Sequence, residues 1–457
     1  MSVMNTMKPQ RGVEEGATRA PIIETAAGAL YPNVIDFSKV RAAHHSLFSE
    51  KTIMDADGNT AAAYACLQMW RSILYAGFPI TPSTKWLETV AAVIGSGKAG
   101  MKEIKLLEAE HAVADYMAGA AAACRDLIFC TATSSVGLDH MTESTRSLGA
   151  SGLGNLLLVN VYRATANYPL CIEGDPSDAL AHRDDGWIQI CCRGIQQIYD
   201  TVLQSPCLGM HPEILTPVMP GYYGIKDSHR SSRLVLEPDT AVHAFQDRWI
   251  EESCLPGLIN GDTGIGSCVT SKHFQGFKIN QKSRMNRVLD ILPQIGHDFE
   301  KTFGRPGLQF FEKIYWPAND IVDLAIVGMG PDLGTAAALV AEEEKQFGMK
   351  IGVLGIRLLT PFPAAELARL LRHAKAVLVV NQAIHQGSGH LTLDVTESCY
   401  SLDPRPTLVS CFAGMGGASV SDDSWRFMIQ HANRAQSQKL KHVSPIVVHE
   451  GRSVWPL

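Results

Sequence analysis

Apolar residues in the first half of the chain follow two alternating patterns. Residues 60–75 and 108–124 space them as in a helix, and the second segment is rich in alanine. Residues 127–133 (LIFCTAT) and 155–162 (NLLLVNVY) are short, continuous apolar runs, as buried parallel strands require. The alternation of such strands with helices between about residues 52 and 250 predicts a doubly wound α/β domain.

The same alternation restarts near residue 319. The sequence predicts strands at DLAIVGMG, KIGVLGIRLL, AVLVVNQA and PTLVSCFAGMGG, and the helix after the first strand ends at Gly348. The segment between the two halves is less regular, with a polar stretch at 278–287 that a helix is expected to follow. Three prolines interrupt the N-terminal segment. We therefore predict an extension at 1–50, a first domain at 51–253, a linker or subdomain at 254–318 and a second domain at 319–457.

Composition narrows the class of protein. The chain is 46% hydrophobic and 19% charged, as in an ordinary globular protein, and its net charge of −6 argues against nucleic-acid binding. No window of about 18 residues is apolar throughout, so no membrane helix is expected, and the first residues lack the apolar core of a secretory signal. Its cysteines form no C-x-x-C pair, which favours a reduced, cytoplasmic protein without an iron–sulfur motif of its own.

Two other patterns are weak. The turn GMGPDLG (328–334) lies between a strand and a helix, but its third glycine is one residue late for a dinucleotide fingerprint, so a tight turn is the favoured interpretation. His111 and Asp115 are four residues apart, and His385 and His390 are five apart. Neither pair has a third ligand at a recognisable spacing, so we predict no metal site in this chain.

Arg163 lies just past the end of the predicted strand 155–162. Ligands of open α/β sheets collect outside the carboxyl ends of the strands, and an arginine there can hold a carboxylate with two parallel hydrogen bonds. A structural ion pair with Asp175 or Asp178 is at least as good an interpretation of the sequence alone.

Glu108 and Glu110 open the alanine-rich helix. Carboxylates are favoured in a first helical turn by the helix dipole, which is the structural interpretation. A carboxylate packed against the following alanines would be nearly buried, however, and a buried carboxylate needs a specific hydrogen-bond partner.

A series of motifs in this sequence resembles the α chain of thiamine-diphosphate-dependent 2-oxoacid:ferredoxin oxidoreductases. The motifs are DGNTAAAYA, GFPITPST, EAEHA, TATSSVGLDHMTE, YRATANYPLCIEGDPSDALAHRDDGWIQ, IRLLTPFP and FAGMGG, over about residues 55–240 and 319–420. The resemblance implies a thiamine-diphosphate-binding-like pyrimidine domain, with a parallel sheet between helices, followed by a transketolase-C-terminal-like α/β domain.

The resemblance also implies partners. Thiamine diphosphate would be shared with a β-type subunit that holds its diphosphate and Mg²⁺, while 4Fe-4S clusters would lie on partner subunits, including ferredoxin-like γ and δ types. An additional electron-transfer subunit stays open. The implied reaction is oxidative decarboxylation of a 2-oxoacid to an acyl-CoA and CO₂, with coenzyme A as co-substrate.

Three residues acquire roles through the resemblance. Glu110 matches the glutamate that bonds the aminopyrimidine ring, where a carboxylate favours the tautomer able to remove a proton from the cofactor. Arg163 matches the arginine that holds the substrate carboxylate. Thr81 matches a threonine whose hydroxyl touches the same substrate.

The sequence also departs from the family pattern. Phe78 stands where the family commonly has tyrosine, and Ala418 and Ser419 follow the late glycines in place of an arginine and an aspartate. The Gly-Asp-Gly metal motif of the partner chains is missing, and its nearest candidate, Gly-Asp-Thr at 261–263, has the wrong third residue. This absence fits a chain that completes its active site across an interface.

Two other functions remain open at this stage. One is a non-catalytic assembly subunit, against which the joint presence of Glu110, Thr81 and Arg163 argues. The other is a self-sufficient thiamine-diphosphate decarboxylase, against which the missing Mg²⁺ motif argues.

The substrate is the least determined property. Phe78 makes the wall beside Thr81 more apolar, and Tyr168 can add an aromatic face. The only cation near this loop is Lys85, which counts against a second substrate carboxylate. An aromatic acid such as phenylglyoxylate is therefore slightly favoured over pyruvate or another 2-oxoacid.

Overall fold

The computed structural model describes residues 37–165, 169–250, 268–384, 389–440 and 442–455. The first elements, in chain order, are α1 (Phe37–Ala42), β1 (Thr52–Ala56), α2 (Gly58–Gln68), β2 (Ser72–Gly77), α3 (Thr84–Gly95), β3 (Glu103–Leu106), α4 (Glu110–Ala123), β4 (Ile128–Thr133), α5 (Val136–His140), α6 (Thr142–Ser151), β5 (Leu156–Tyr162), α7 (Ser177–Ala181), β6 (Ile188–Cys191), α8 (Ile195–Gly209), β7 (Val218–Tyr223), β8 (Ser232–Leu236) and α9 (Asp239–Gln246).

A long helix and a second group of elements follow. They are α10 (Ser271–Phe303), β9 (Phe311–Tyr315), β10 (Leu324–Gly328), α11 (Leu333–Phe347), β11 (Ile351–Ile356), β12 (Leu358–Thr360), α12 (Ala364–Leu371), β13 (Ala376–Asn381), α13 (His390–Cys399), β14 (Thr407–Phe412), α14 (Asp422–Ser437), β15 (His442–His449) and β16 (Arg452–Trp455). Short 3₁₀ turns occur at Arg183–Asp185 and Met415–Gly417.

The first sheet has seven strands in the order β12-β6-β7-β5-β4-β2-β3, and all except β12 run parallel. Apolar side chains of α2, α3 and α8 cover one face, and those of α4 and α6 cover the other. The strands are buried on both sides, which explains their continuous apolar runs. The predicted α/β fold, with a parallel sheet between helices, is confirmed.

The second sheet also has seven strands, in the order β16-β15-β14-β13-β10-β11-β9. Its five inner strands are parallel, and β16 and β9 pair antiparallel at the two edges. One of its apolar clusters includes Tyr162 and Tyr223 of the first sheet. The two sheets therefore share a hydrophobic interface.

The strand predicted across KIGVLGIRLL is in fact two strands in different sheets. β11 stays in the second sheet, whereas β12 pairs with β6 of the first. Arg357, between them, is buried and donates to Cys191 O (2.7 Å) and Thr201 Oγ1 (2.8 Å). These hydrogen bonds explain why a cation is tolerated inside an apolar run.

The prediction of one helix across 60–75 is wrong in its second half. The helix α2 ends at Gln68, and the next apolar residues form β2, every residue of which is buried. A short apolar run that is buried on all sides has no hydrophobic periodicity. Its pattern therefore does not distinguish a helix from a strand.

The helix predicted after the polar stretch of the central segment begins earlier than expected. Most of the described part of that segment is the 33-residue helix α10. The second half of α10 packs Val288, Leu292 and Phe299 into the core of the first domain, whereas residues 271–280 are exposed. Because the exposed half has no buried face, it has no apolar periodicity from which a helix could be predicted.

Candidate active site

The three predicted site residues lie at one edge of the first sheet. Thr81 follows β2, Glu110 begins the helix after β3, and Arg163 follows β5. Because these strands run parallel, their carboxyl ends face the same side. This is the edge at which open α/β sheets bind ligands.

Glu110 is the buried member of the glutamate pair. It is the first residue of α4 and only 8% exposed, whereas Glu108 is exposed. His140 Nδ1 donates to Glu110 Oε2 at 3.2 Å, and within the described residues Oε1 has no hydrogen-bond partner. The helix dipole stabilises the carboxylate, but one of its oxygens is left for a ligand.

A polar region lacking partners lies next to Glu110. The backbone of Gly137 is so close that a Cβ there would collide with Thr133 Oγ1 and approach Glu110 Cγ to 3.4 Å. Thr133 pairs in register with Asn160 across β4 and β5. Among the described residues, Thr133 Oγ1 and both amide atoms of Asn160 are buried without hydrogen-bond partners. Such groups require water or a ligand.

Arg163 is held by backbone carbonyl groups. Its Nη1 donates to Thr81 O at 3.0 Å and its Nε donates weakly to Cys171 O at 3.4 Å. In the described part of the chain Nη2 has no hydrogen-bond partner, and Arg163 forms no ion pair with Asp175 or Asp178. The structure therefore contradicts the ion-pair interpretation of Arg163 and leaves part of the guanidinium available.

Thr81 contacts Arg163 through its carbonyl oxygen, and its side chain is exposed. Two further residues fix this loop. Asn59 Nδ2 donates to Pro82 O at 2.8 Å, and Tyr222 Oη donates to Asn59 Oδ1 at 2.7 Å. The loop thus rests on buried side chains of α2 and β7, which suits a site that must keep its shape.

Asp178 joins the loops that follow β4 and β5. Its carboxylate accepts the backbone N–H groups of Ser135 (3.0 Å), Arg163 (3.1 Å) and Ala179 (2.7 Å). Burial raises the pKa of Asp178 to about 7, against the effect of these hydrogen bonds. Ser135 has φ 41°, which side chains disfavour, and Asp178 helps to hold it there.

The second domain braces the loop that follows Arg163. Gly416 N donates to Asp175 Oδ2 at 2.7 Å, and Cys171 Sγ donates to Gly416 O at 3.3 Å. The late motif FAGMGG therefore contacts the site loop from the other domain. Two motifs about 240 residues apart in the sequence are therefore hydrogen-bonded to each other here.

Sequence reasoning missed His140 and Asn59. Both belong to motifs that carried the resemblance, but their roles depend on contacts across 30 and 23 residues. Tyr168, His385 and the Gly-Asp-Thr segment at 261–263 lie outside the described residues.

The site fits one end of thiamine diphosphate. A buried carboxylate beside hydroxyl and amide groups without partners suits the polar edge of an aminopyrimidine ring. The described residues hold a single group of three possible metal ligands, namely His44, Asp239 and His243. That group lies beside Gln68, at the opposite end of α2 from Asn59. Among the described residues, no such cluster of three ligands lies at the edge that holds Glu110.

Among the described helices, none combines the length and apolar character that a membrane span needs.

Two family models match this chain. "Pyruvate flavodoxin/ferredoxin oxidoreductase, thiamine diP-bdg" matches residues 69–282, and "Pyruvate:ferredoxin oxidoreductase core domain II" matches residues 322–424. A solved structure of 2-oxoglutarate:ferredoxin oxidoreductase from Magnetococcus marinus has a TM-score of 0.59 at 16% identity, covering 84% of this chain and 65% of that chain. This structural likeness supports the fold.

Curated relatives match most of the chain. Pyruvate synthase subunit PorA of Thermotoga maritima is 30% identical over 382 residues, which cover 82% of this chain and 93% of the relative. Ketoisovalerate oxidoreductase subunit VorA of Pyrococcus abyssi is 29% identical, covering 80% and 90%. The alpha subunit of NADH-dependent phenylglyoxylate dehydrogenase of Aromatoleum evansii is 26% identical, covering 81% and 88%.

The fold and the matching family model define a thiamine-diphosphate-binding α/β protein. More particularly, the chain belongs to the α subunits of thiamine-diphosphate-dependent 2-oxoacid:ferredoxin oxidoreductases. The predicted family is confirmed, and the enzyme class is that of 2-oxoacid oxidoreductase subunits.

Proposed function

We propose that this chain is the α subunit of a multi-subunit enzyme that oxidatively decarboxylates a 2-oxoacid to an acyl-CoA and CO₂. Electrons would pass to iron–sulfur clusters on partner subunits, and coenzyme A would accept the acyl group. The observation that carries the proposal is the buried Glu110 carboxylate at the same sheet edge as Arg163 and Thr81.

In this proposal Glu110 holds the pyrimidine end of the cofactor. Its carboxylate accepts a hydrogen bond at the ring nitrogen and keeps a proton there, while His140 orients the other oxygen. Thiamine diphosphate, when bound, supplies the nucleophilic carbon and the electron sink for decarboxylation.

Arg163 and Thr81 would bind the substrate. Arg163 Nη2 would donate a charge-assisted hydrogen bond to the substrate carboxylate, while carbonyl oxygens fix Nη1 and Nε. The exposed Thr81 side chain can add a hydrogen bond to the same group. The second domain braces this loop, because Gly416 contacts both Cys171 and Asp175.

The proposal requires partner subunits. A β-type subunit would hold the diphosphate and Mg²⁺, since the sequence of this chain lacks the Gly-Asp-Gly motif. Iron–sulfur clusters would lie on partners, including ferredoxin-like γ and δ types and an optional further electron-transfer subunit. The complex would work in the cytoplasm, without nucleic acid or a membrane.

For the substrate we favour an aromatic 2-oxoacid such as phenylglyoxylate. Lys85 forms an ion pair with Asp57, so it is engaged and does not await a second substrate carboxylate. Phe78 is half-buried and packs partly against the core, which leaves an apolar wall near Thr81. The relatives are named for pyruvate, ketoisovalerate and phenylglyoxylate, so a substrate panel must decide.

The experiment is a comparison of two neighbouring glutamates in the co-expressed complex. Glu110→Gln should lower kcat by about 10²–10⁴-fold, the usual contribution of a general acid–base group, while the complex still assembles. Glu108→Gln is the matched control, because Glu108 is exposed and should leave kcat unchanged. Near-normal turnover of Glu110→Gln would remove Glu110 from the mechanism.

The same preparation tests the remaining alternatives. Rates with pyruvate, 2-oxoglutarate, 2-oxoisovalerate, indolepyruvate and phenylglyoxylate, ranked by kcat/KM, identify the substrate. A tenfold lead for pyruvate or 2-oxoglutarate would exclude the aromatic substrate and leave the reaction class unchanged. Thiamine-diphosphate-dependent decarboxylation by the purified single chain would contradict the need for partners.

A further inference from the structure

A second group of chemically active side chains lies away from Glu110, where the N-terminal segment meets α9. Asp239 is in the first turn of α9, and His243 lies one turn later, so both project from one helix face. His44 reaches them from a position 195 residues earlier in the chain. One possible ligand atom from each of the three residues lies within 4.8 Å of the other two.

All three side chains are withdrawn from solvent. The side chains of His44 and Asp239 are 6% and 1% exposed, and His243 is 8% exposed. His44 Nδ1 is buried with no hydrogen-bond partner among the described residues. The only polar contact of the His44 side chain that involves described residues is the long one between Nε2 and Asp239 Oδ2, so Nε2 is only weakly engaged.

The contact between His44 and Asp239 is longer than a good hydrogen bond. His44 Nε2 lies 3.4 Å from Asp239 Oδ2, whereas N–H···O hydrogen bonds are usually about 2.7–3.2 Å. Two ligands bound at about 2.0–2.1 Å to a tetrahedral ion are roughly 3.3–3.4 Å apart. This one separation matches the edge of a tetrahedral metal site, and the ligand atoms of the group all lie within 4.8 Å of one another.

The hydrogen bonds around the group resemble the outer shell of a metal site. His243 Nε2 lies 2.8 Å from Gln68 O, and a carbonyl oxygen can only accept, so Nε2 carries the proton and Nδ1 presents its lone pair. Metal-bound histidines commonly donate their other N–H to a backbone carbonyl in this way. Asp239 is oriented by the N–H of Leu47 at 2.8 Å and the amide of Gln68 at 2.8 Å.

From this geometry we propose that His44, Asp239 and His243 bind a divalent transition-metal ion such as Zn²⁺, with solvent at the open position. Two imidazoles and a carboxylate are a suitable ligand set for Zn²⁺ and unsuitable for Mg²⁺. The ion fastens the segment that contains His44 to α9.

The test uses the full-length chain with Cys268→Ser, which removes the exposed thiol as a competing ligand. The protein is stripped with a chelator, equilibrated with micromolar Zn²⁺, desalted and analysed for zinc by mass spectrometry. The parent chain should retain about one equivalent. His44→Ala and His243→Ala should bind zinc at least tenfold more weakly, because even outer-shell changes weaken such sites by about 10–100-fold.

His45→Ala is the matched control, since His45 is the exposed neighbour of His44. It should retain zinc like the parent, and zinc should raise the Tm of both but not that of His44→Ala. Failure of the parent to retain zinc, or equal retention by His44→Ala, would overturn the proposal. Circular dichroism confirms that each variant is folded, and the outcome is independent of the role of Glu110.

Discussion

The carboxyl edges of the two sheets of this protein differ in whether their polar groups have partners within the protein. At the edge of the first sheet, Glu110, Arg163 and Asn160 keep polar atoms that have no partner among the described residues. At the edge of the second, Lys226 Nζ contacts Asp332 Oδ2 at 2.6 Å, and Gln382 Nε2 donates to the same oxygen at 3.2 Å. The first edge therefore has polar atoms available for a ligand, whereas these polar groups of the second edge already contact one another.

This difference explains the glycine turn at 328–334. A Cβ at Gly330 would collide with the ring of Tyr223, and Tyr223 Oη donates to Gln382 Oε1 at 2.6 Å. The turn therefore packs directly against Tyr223 of the first domain, as the tight-turn interpretation allows. This contact leaves no room for a phosphate. The carboxyl edge of a parallel sheet is where a ligand site can form. Polar groups without protein partners at that edge indicate that a site does form there.

The largest stability effect should come from the edge of the second sheet. In Lys226→Met the buried Asp332 carboxylate loses its cation, which should lower the free energy of unfolding by about 3 kcal/mol. Urea denaturation measures this change. The double variant Lys226→Met/Asp332→Asn should recover most of the loss, and a loss as large as that of the single variant would show that the pair itself is not responsible.

The open edge should respond in catalysis. Arg163→Ala should raise KM for the 2-oxoacid roughly 10- to 150-fold, as expected for loss of about 1.5–3 kcal/mol of charge-assisted binding. Arg183→Ala is the control, because Arg183 forms an ion pair with Asp394 of the second domain and should affect stability alone. An unchanged KM with reduced stability in Arg163→Ala would make Arg163 a structural residue.

A histidine beside the open edge should make stability depend on pH. Burial lowers the pKa of His182, but its hydrogen bonds to Asp139 and Asp185 outweigh burial and raise the pKa from 6.5 to about 9. The folded state therefore binds the proton more tightly than the unfolded state, so this stabilisation is complete below pH 6.5 and is lost as pH rises towards 9.

Denaturation of His182→Gln and the parent chain at pH 6 and pH 9 tests this sign. The destabilisation caused by the substitution should be larger at pH 6 than at pH 9. His111→Gln, at an exposed position of α4, provides the reference. A larger effect at pH 9 would mean that His182 is held neutral.

The smallest effect concerns His140. His140→Gln removes the imidazole that bonds Glu110. Because the His140 side chain is 57% exposed, water can replace part of this bond, and kcat/KM should fall only roughly 2- to 10-fold, or about 0.5–1.5 kcal/mol. An unchanged kcat/KM in His140→Gln would leave His140 without a positioning role.

Local patterns were sufficient for much of the fold. Continuous apolar runs predicted β4 and β5, because strands that are buried on both faces consist mainly of apolar residues. They failed at β2, where the run was joined to the preceding helix, and at the exposed half of α10, which has no buried face. The crossing of β12 into the first sheet depends on the partner strand β6, which a local pattern does not contain.

The site was predictable only where a motif was known. Glu110 could be distinguished from Glu108 by resemblance, and the structure adds the physical reason, which is burial. His140 gave no signal, since its contact with Glu110 joins positions 30 residues apart. The metal ligands proposed at His44 and Asp239 are separated by 195 residues, so no spacing rule applies to them.

We expect the open edge of the first sheet to bind the pyrimidine ring of thiamine diphosphate at Glu110. The most direct measurement is a structure of the assembled complex with thiamine diphosphate and Mg²⁺ added. A Glu110 carboxylate oxygen should lie within about 2.5–3.0 Å of a pyrimidine nitrogen, a hydrogen-bonding distance. A pyrimidine ring bound elsewhere, with Glu110 still paired only to His140, would contradict the account.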